Sequence, residues 1–189
     1  MKPSGPRLAQ GVTLLELIFT LGIIVILLTI GIPAMTGFVG NIRLLAQANL
    51  LVADILHARS EAATRGRRTT LCASANVESA AEPTCATGTA AWTTGRIVFV
   101  DMNGNGQRNV TADAATHDVL LRKSSALEAG ATLTATGFAD TAHVSFSPFG
   151  GLLPTTAGSL TLCSPVMASG YQVAIAATGQ PLSSKVACR

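Results

Sequence analysis

The sequence predicts an α+β protein in which a long N-terminal helix, transmembrane in its first half, packs on an antiparallel β-sheet domain. Residues 12–32 are predominantly apolar and contain one charged side chain, Glu16. A helix of this length spans about 30 Å, the thickness of the hydrocarbon core of a bilayer. Beyond Thr69 the chain changes to short runs rich in β-branched residues, divided by Gly, Ser, Asn and Pro. That pattern is typical of strands joined by turns.

The second part of the helix is predicted to be amphipathic. It follows Pro33 and a glycine-containing segment, residues 36–41, where the helix is expected to bend. Gly66 is a typical helix stop, so a helix over residues 12–65 would be about 80 Å long. One stripe at helical spacing is apolar and is predicted to face the domain: Leu44, Ala48, Leu51, Ile55, Ala58 and Ala62. The neighbouring stripe is polar and is predicted to be more exposed to water: Arg43, Gln47, Asp54, His57 and Glu61. Within it, His57 and Glu61 are four residues apart and could form a weak pair.

Six strands are predicted in the remaining chain, each a β-rich run bounded by turn residues. They cover residues 69–74, 96–101, 117–122, 143–147, 159–163 and 171–178. No repeated unit of strand and helix is present in the sequence, which favours an antiparallel over a parallel sheet. Trp92, the single tryptophan, is predicted to be buried against the sheet.

Charge and position predict the orientation of the anchor. The net charge is +3, and Lys2 and Arg7 precede the apolar segment. Positive charge flanking a membrane helix favours the cytoplasmic side, so the C-terminal domain is expected to face the periplasm or the exterior. The rest of the chain is close to neutral, which makes no electrostatic case for a nucleic-acid binder.

Four cysteines are present, Cys72, Cys85, Cys163 and Cys188, and none forms a CxxC pair. A zinc site is therefore not indicated, and an oxidising compartment favours two disulfides. Three pairings are compatible with four cysteines. The local one, Cys72 with Cys85 and Cys163 with Cys188, is the simplest.

The segment GVTLLELIFTL, which begins at Gly11, resembles the prepilin peptidase signature of type IV pilins and type II secretion pseudopilins. That signature is a glycine, an apolar first mature residue, T-L-x-E, and an apolar helix. The matching residues are Gly11, Thr13, Leu14, Glu16 and Leu17, and Pro33 stands where the family has a helix-kinking proline. Val12 occupies the position at which phenylalanine is usual.

The resemblance implies a series of events at this segment. A prepilin peptidase would cut between Gly11 and Val12, so that residues 1–11 are a leader, and Val12 would be N-methylated. Glu16 would then pair with the N-terminal ammonium of a neighbouring subunit during assembly. The organisation that follows is an anchor over residues 12–33, an amphipathic helix over 34–66 and a periplasmic domain over 67–189.

Three further strings are similar to the GspH/FimT branch of minor pilins: R-S-E-A at residues 59–62, W-x-x-G-x-I-V-F-x-D at 92–101, and V-S-F-S-P-F-G at 144–150. The resemblance implies a single-pass protein of the bacterial inner membrane that joins the tip or priming complex of a type II secretion pseudopilus or a type IV pilus. Its expected partners are other major and minor pilins or pseudopilins, the inner-membrane assembly platform and the prepilin peptidase.

A DNA-uptake pilin is the alternative function. Arg65, Arg67 and Arg68 form the densest basic cluster, with Lys185 and Arg189 near the C-terminus. Arginines at a helix C-terminus stabilise the macrodipole, whereas the alternative role is contact with DNA phosphates. The DNA-binding signature that the resemblance would supply is G-R-x-R, but residues 179–182 read Gly-Gln-Pro-Leu.

Neither a metal, a cofactor nor catalysis is predicted. Residues 101–106 match the start of a calcium loop, D-x-N-x-N-G, but the twelfth position is Ala112 and Asp113 comes one residue late. Asn-Gly between strands is typical of hairpins. The sequence contains no nucleophile, nucleotide-binding or metalloprotease motif, so we expect a structural protein and not an enzyme.

Overall fold

The computed structural model describes residues 11–86, 92–111, 113 and 115–188, with the backbone alone at residues 32–34 and 36. Several predicted features lie outside these residues: the leader up to residue 10 with Lys2 and Arg7, Ala112, Arg189, and the side chain of Pro33.

The helix α1 comprises Leu14–Arg65. Residues 36–41 are helical, and the bend predicted there stays a prediction. At its end Gly66 adopts a positive φ of 61°, and Arg67 N donates to the carbonyl of Ala62 over 3.2 Å. This is the hydrogen bond of a Schellman cap, which only a residue tolerant of the left-handed conformation supports easily. The predicted stop at Gly66 is confirmed.

The chain divides into two compact units, Met1–Gly40 and Asn41–Arg189. Two segments of α1 are long and apolar enough to cross a membrane, Leu14–Gly31 and Gly37–Arg65. None of Leu14–Gly31 is buried, whereas 28% of Gly37–Arg65 is buried. The first segment therefore leaves its apolar surface uncovered in this chain, and the second contributes to the core of the domain.

The domain contains two antiparallel sheets. The strands are β1 (Thr69–Ala73), β2 (Arg96–Val100), β3 (Val119–Ser124), β4 (Thr132–Thr136), β5 (His143–Phe146), β6 (Leu152–Leu153), β7 (Gly158–Cys163), β8 (Ser169–Ile175) and β9 (Pro181–Ala187). The first sheet has the order β3-β2-β1-β5-β6 and the second the order β4-β7-β8-β9. All six predicted strands are present, and β4, β6 and β9 are additional.

The core forms where α1 meets the sheets. Every member of the predicted apolar stripe, from Leu44 to Ala62, is buried, and so are inward-facing residues of both sheets such as Val98 and Leu160. Trp92 is 1% exposed, and its indole N–H donates to the carbonyl of Thr141 over 2.7 Å. The predicted burial of the stripe and of Trp92 is confirmed.

Two predictions about the polar stripe are wrong. Asp54 does not face water but is fully buried, because guanidinium groups of the first sheet surround its carboxylate. Glu61 does not pair with His57; it accepts a hydrogen bond from Arg65 Nε over 2.6 Å. Arg65 lies four residues further along the helix and offers a permanent charge with a planar set of donors.

Both disulfides are present in the local pairing, Cys72–Cys85 and Cys163–Cys188. The first ties β1 to the loop that follows it. The second joins the end of β7 to the residue after β9, so it fastens the last strand to the second sheet.

Candidate assembly site

The N-terminal signature forms the start of α1. Thr13 directly precedes the first helical residue, Leu14. Glu16 N donates to Thr13 Oγ1 over 3.3 Å, and Leu17 N donates to the carbonyl of Thr13 over 3.2 Å. Thr13 is therefore the N-cap residue, and Thr13 and Glu16 have the spacing of a capping box. Glu16 also lies in the first turn, where the helix dipole favours a negative charge.

Gly11 and Val12 lie before the helix and are exposed. A Cβ added at Gly11 would meet nothing within 4 Å, and its φ is not in the left-handed range. Neither packing within the described chain nor backbone conformation requires glycine at this position. A requirement for glycine would therefore come from another molecule.

The surface that follows is apolar on every side of the helix. Exposed large hydrophobic side chains recur from Val12 to Ile30 and include adjacent residues such as Ile23 and Ile24, which point in different directions around the helix. A helix that is hydrophobic all round is normally buried in protein or in a membrane. Glu16 is the single charge on this surface, and it makes no ion pair with any described residue.

In the domain, Arg59 links the two sheets to α1. Arg59 Nε donates to the carbonyl of Gly150 over 3.0 Å, and Arg59 Nη1 donates to Gln180 Oε1 over 3.3 Å. Gly150 follows β5 and Gln180 precedes β9, so one side chain holds a turn of each sheet. The strings at residues 59–62 and 144–150 thus meet in space.

Beside Arg59 lies a groove of about 480 Å³ between α1 and the turn before Gly150. Leu56, Ala63 and Phe149 form its apolar walls, with His57 and Arg59 among its polar residues. Phe149 is 97% exposed.

A buried ionic network joins α1 to the first sheet. Arg96 donates to Asp54 Oδ2 through Nε over 3.0 Å and through Nη2 over 2.8 Å. Arg122 Nε lies 2.8 Å from Asp54 Oδ1, and Ser124 Oγ donates to the same carboxylate over 2.9 Å. Asp54 is 0% and Arg96 1% exposed.

Sequence reasoning missed this network although a signal was present. Asp54 is three residues after Leu51 and four before Ala58, which places it at the border of the apolar stripe. Arg96 directly precedes the apolar run of β2. An acid on a buried helix face and a base in a buried strand are each costly unless they pair.

The basic cluster proposed to contact DNA is largely engaged within the chain. Arg65 pairs with Glu61, and the guanidinium of Arg68 donates to the carbonyl of Gly104. Arg67 is exposed at the end of α1, whereas Lys185 is exposed on β9 of the second sheet. These contacts give Arg65 and Arg68 structural roles, and the DNA-uptake alternative gains no support.

The loop at residues 101–106, whose sequence is similar to the start of a calcium loop, is held by hydrogen bonds from its own backbone to Asp101. Asp101 accepts hydrogen bonds from Gly104 N, Asn105 N and Gly106 N over 2.7, 3.1 and 2.9 Å, and from Thr70 Oγ1 over 3.1 Å. Its carboxylate therefore has partners that shape the turn after β2. Among the described residues, no three His, Cys, Asp or Glu side chains come together as a ligand group for a metal ion.

An ion pair between Arg108 and Glu82 joins the loop after β2 to the loop after β1. The guanidinium of Arg108, which is buried, donates to the carbonyl of Pro83 over 2.7 Å and to the carboxylate of Glu82. The hydrogen bond from Arg108 and then its positive charge lower the pKa of Glu82 below the ordinary value of 4.5. Both loops are thus held by charge-assisted hydrogen bonds.

The fold and this surface define a class of protein. A long helix with an uncovered apolar first segment and a second segment packed on antiparallel sheets is the architecture of a type IV pilin-like subunit. The sequence model of the family described as "Type II transport protein GspH" matches residues 47–179, and the chain belongs to this family.

A solved structure agrees with this assignment at the level of the fold. The type IV minor pilin FimU of Pseudomonas aeruginosa is 22% identical, with 78% of this chain and 92% of that chain covered and a TM-score of 0.52. The minor pseudopilin EpsH from the Type 2 Secretion System of Vibrio cholerae is 12% identical, with 77% and 97% covered and a TM-score of 0.47. A comparison with curated proteins gave no match.

Pilins and pseudopilins are structural proteins that assemble with other pilins. This chain is therefore a minor pilin or pseudopilin, and its N-terminal apolar helix is the part suited to membrane anchoring.

Proposed function

We propose that this chain is cut between Gly11 and Val12 and then enters the tip or priming complex of a type II secretion pseudopilus or a type IV pilus. The observation that carries the proposal is the segment Leu14–Gly31, of which nothing is buried and whose single charge is Glu16. Family membership supports the same role.

Glu16 is proposed to select the position of the incoming subunit. Cleavage converts the amide nitrogen of Val12 into an ammonium group. A carboxylate in an apolar bundle is costly unless an opposite charge neutralises it. Since Glu16 has no partner among the described residues of its own chain, the ammonium of a neighbouring subunit is the complement that we propose for it.

The proposed location follows from the anchor and the disulfides. Leu14–Gly31 would span the inner membrane with the N-terminus in the cytoplasm, where the basic residues Lys2 and Arg7 favour it. The domain would lie in the periplasm, an oxidising compartment in which Cys72–Cys85 and Cys163–Cys188 are stable. The proposed partners there are other pilins or pseudopilins, with the prepilin peptidase and the assembly platform in the membrane.

The test of assembly compares two charge deletions on the same helix. Glu16→Ala should insert into the membrane normally but be reduced at least about ten-fold in sheared filaments or in cross-linked subunit complexes, because a buried ion pair is lost. Glu61→Ala, which removes a carboxylate paired within the chain, should assemble like the wild type. Incorporation of Glu16→Ala at the wild-type level would contradict the pairing proposal.

Deleting the gene in the native host and restoring it tests whether the chain belongs to the pseudopilus or to the pilus. Loss of exoprotein secretion with normal surface pili assigns the chain to the pseudopilus. Loss of pili or twitching with normal secretion assigns it to the pilus. Normal secretion and normal pili in the deletion strain would contradict both assignments.

A further inference from the structure

We propose that Thr13 is a positioning residue that ends α1 before the scissile bond and so keeps Gly11 and Val12 outside the helix for the peptidase. This inference rests on the proposed cleavage between Gly11 and Val12. Thr13 would thus act through the conformation of the cleavage segment, and not only through recognition of its side chain by the peptidase.

The geometry shows how Thr13 does this. Its carbonyl accepts the first helical hydrogen bond, from Leu17 N over 3.2 Å, while its hydroxyl accepts from Glu16 N over 3.3 Å. A residue that supplies both acceptors is half inside the helix, and its own φ and ψ are normally not helical. Gly11, Val12 and Thr13 are accordingly outside α1.

The surroundings make such a stop necessary. The first N–H groups of a helix have no partners within the helix. Near the hydrocarbon of a bilayer each unpaired N–H is costly, so the chain is driven to satisfy these groups internally, by extending the helix toward its N-terminus. The hydroxyl of Thr13 satisfies the N–H of Glu16 locally and thereby removes part of the drive to wind Val12 and Gly11 into another turn.

A peptide bond within a helix is a poor protease substrate. Its N–H and C=O groups are already hydrogen-bonded, whereas extended peptides offer theirs to a protein that binds them. The rate of cleavage is then proportional to the fraction of chains in which the segment is not helical. In the structure that segment is exposed, with open space around Gly11.

The experiment uses the full-length precursor in detergent micelles with purified prepilin peptidase, and compares Thr13→Val with Thr13→Ser and Thr13→Asn. Valine has the shape of threonine but cannot cap, whereas serine and asparagine cap well with different shapes. We expect the serine and asparagine variants to be cleaved at nearly the wild-type rate. The valine variant should be cleaved more slowly than all three, by up to about five-fold, because loss of a typical N-cap shifts the helix equilibrium by about that factor.

A second readout does not depend on the peptidase. Amide hydrogen exchange and backbone chemical shifts of residues 11–16 in the same micelles should show added helix at residues 11–13 in Thr13→Val but not in Thr13→Ser. Wild-type cleavage of the valine variant, or serine and asparagine variants as slow as valine, would overturn the inference. If the wild-type chain is not cut between Gly11 and Val12, the proposed processing fails, while the exchange measurement still decides whether Thr13 stops the helix.

Discussion

At the scale of single residues, Asp54 shows how a charge is accommodated in the core. Its carboxylate is fully buried and accepts hydrogen bonds from Arg96 and Ser124, with Arg122 2.8 Å away. Taking a charge out of water is expensive, and the opposite charges and hydrogen bonds of the guanidinium groups offset that cost. Asp54 therefore links α1 to β2 and β3 through charge as well as through packing.

Replacing Asp54 by a neutral residue should lower the stability of the domain strongly. Asp54→Asn leaves the buried Arg96 without a counter-charge, so we expect a loss of about 3 kcal/mol of stability. Unfolding by urea, followed by the fluorescence of the buried Trp92, measures it. Glu61→Gln is the control, because its exposed pair with Arg65 is worth less than about 1 kcal/mol. Equal stability of the two variants would show that the buried network contributes nothing specific.

Glu82 predicts a dependence of stability on pH. The hydrogen bond and charge of Arg108 lower the pKa of Glu82 from 4.5. A group with a lowered folded-state pKa contributes stability above its unfolded pKa, and the contribution disappears as the pH falls through the folded-state pKa.

The variant Glu82→Gln should therefore melt below the wild type at pH 7, and the difference in melting temperature should vanish well below pH 4.5. Glu78→Gln is the control, since Glu78 belongs to no ion pair among the described residues. A difference that stays constant between neutral and acidic pH would contradict the role of Arg108.

At the scale of elements, β9 depends on a close approach at Gly170. A Cβ at this residue would overlap the carbonyl of Leu162 and lie near Cys188 Sγ. The backbone of β7 and the disulfide Cys163–Cys188 occupy the space, so the strand that carries Gly170, β8, tolerates no side chain here. The glycine is required by packing and not by its backbone angles, since its φ is not positive.

Gly170→Ala should lower the melting temperature by at least about 2 °C, since overpacking against backbone costs about 1–3 kcal/mol. It should also raise the fraction of free thiols that react at Cys163 and Cys188. Gly37→Ala is the matched control: its Cβ meets nothing within 4 Å, and alanine favours helix over glycine. A melting temperature of Gly170→Ala equal to that of the control would contradict the packing argument.

At the scale of the whole molecule, apolar residues serve two purposes in two parts of the chain. Within Asn41–Arg189 many of them form a buried core. Within Leu14–Gly31 they are exposed, which is stable only in lipid or against other apolar helices. The surface of Leu14–Gly31 therefore suits lipid or other apolar helices, whereas the domain has a core of its own.

The full-length chain should accordingly appear in the membrane fraction and require detergent for extraction. A chain that begins at Asn41 should be soluble without detergent and should keep the fluorescence of a buried Trp92. Full-length protein in the soluble fraction without detergent would contradict the anchor.

Local patterns in the sequence determined much of this protein. The apolar run after Gly11, the stripe from Leu44 to Ala62, the stop at Gly66 and six strands follow from periodicity, composition and turn residues, all of which act over a few neighbouring positions. The strands that sequence reasoning missed lack such a pattern. β6 has only two residues, β4 contains a single large apolar residue, Leu133, and β9 begins with a proline and has exposed serines.

Only the tertiary structure decided which polar residues are partners. Asp54 was expected in water because the sequence does not show that Arg96 and Arg122 converge on it from β2 and β3. Arg59 contacts Gly150, and Arg68 contacts Gly104. The physical reason is that helix and strand periods depend on neighbours in the chain, whereas the partner of a buried charge depends on which distant elements pack together.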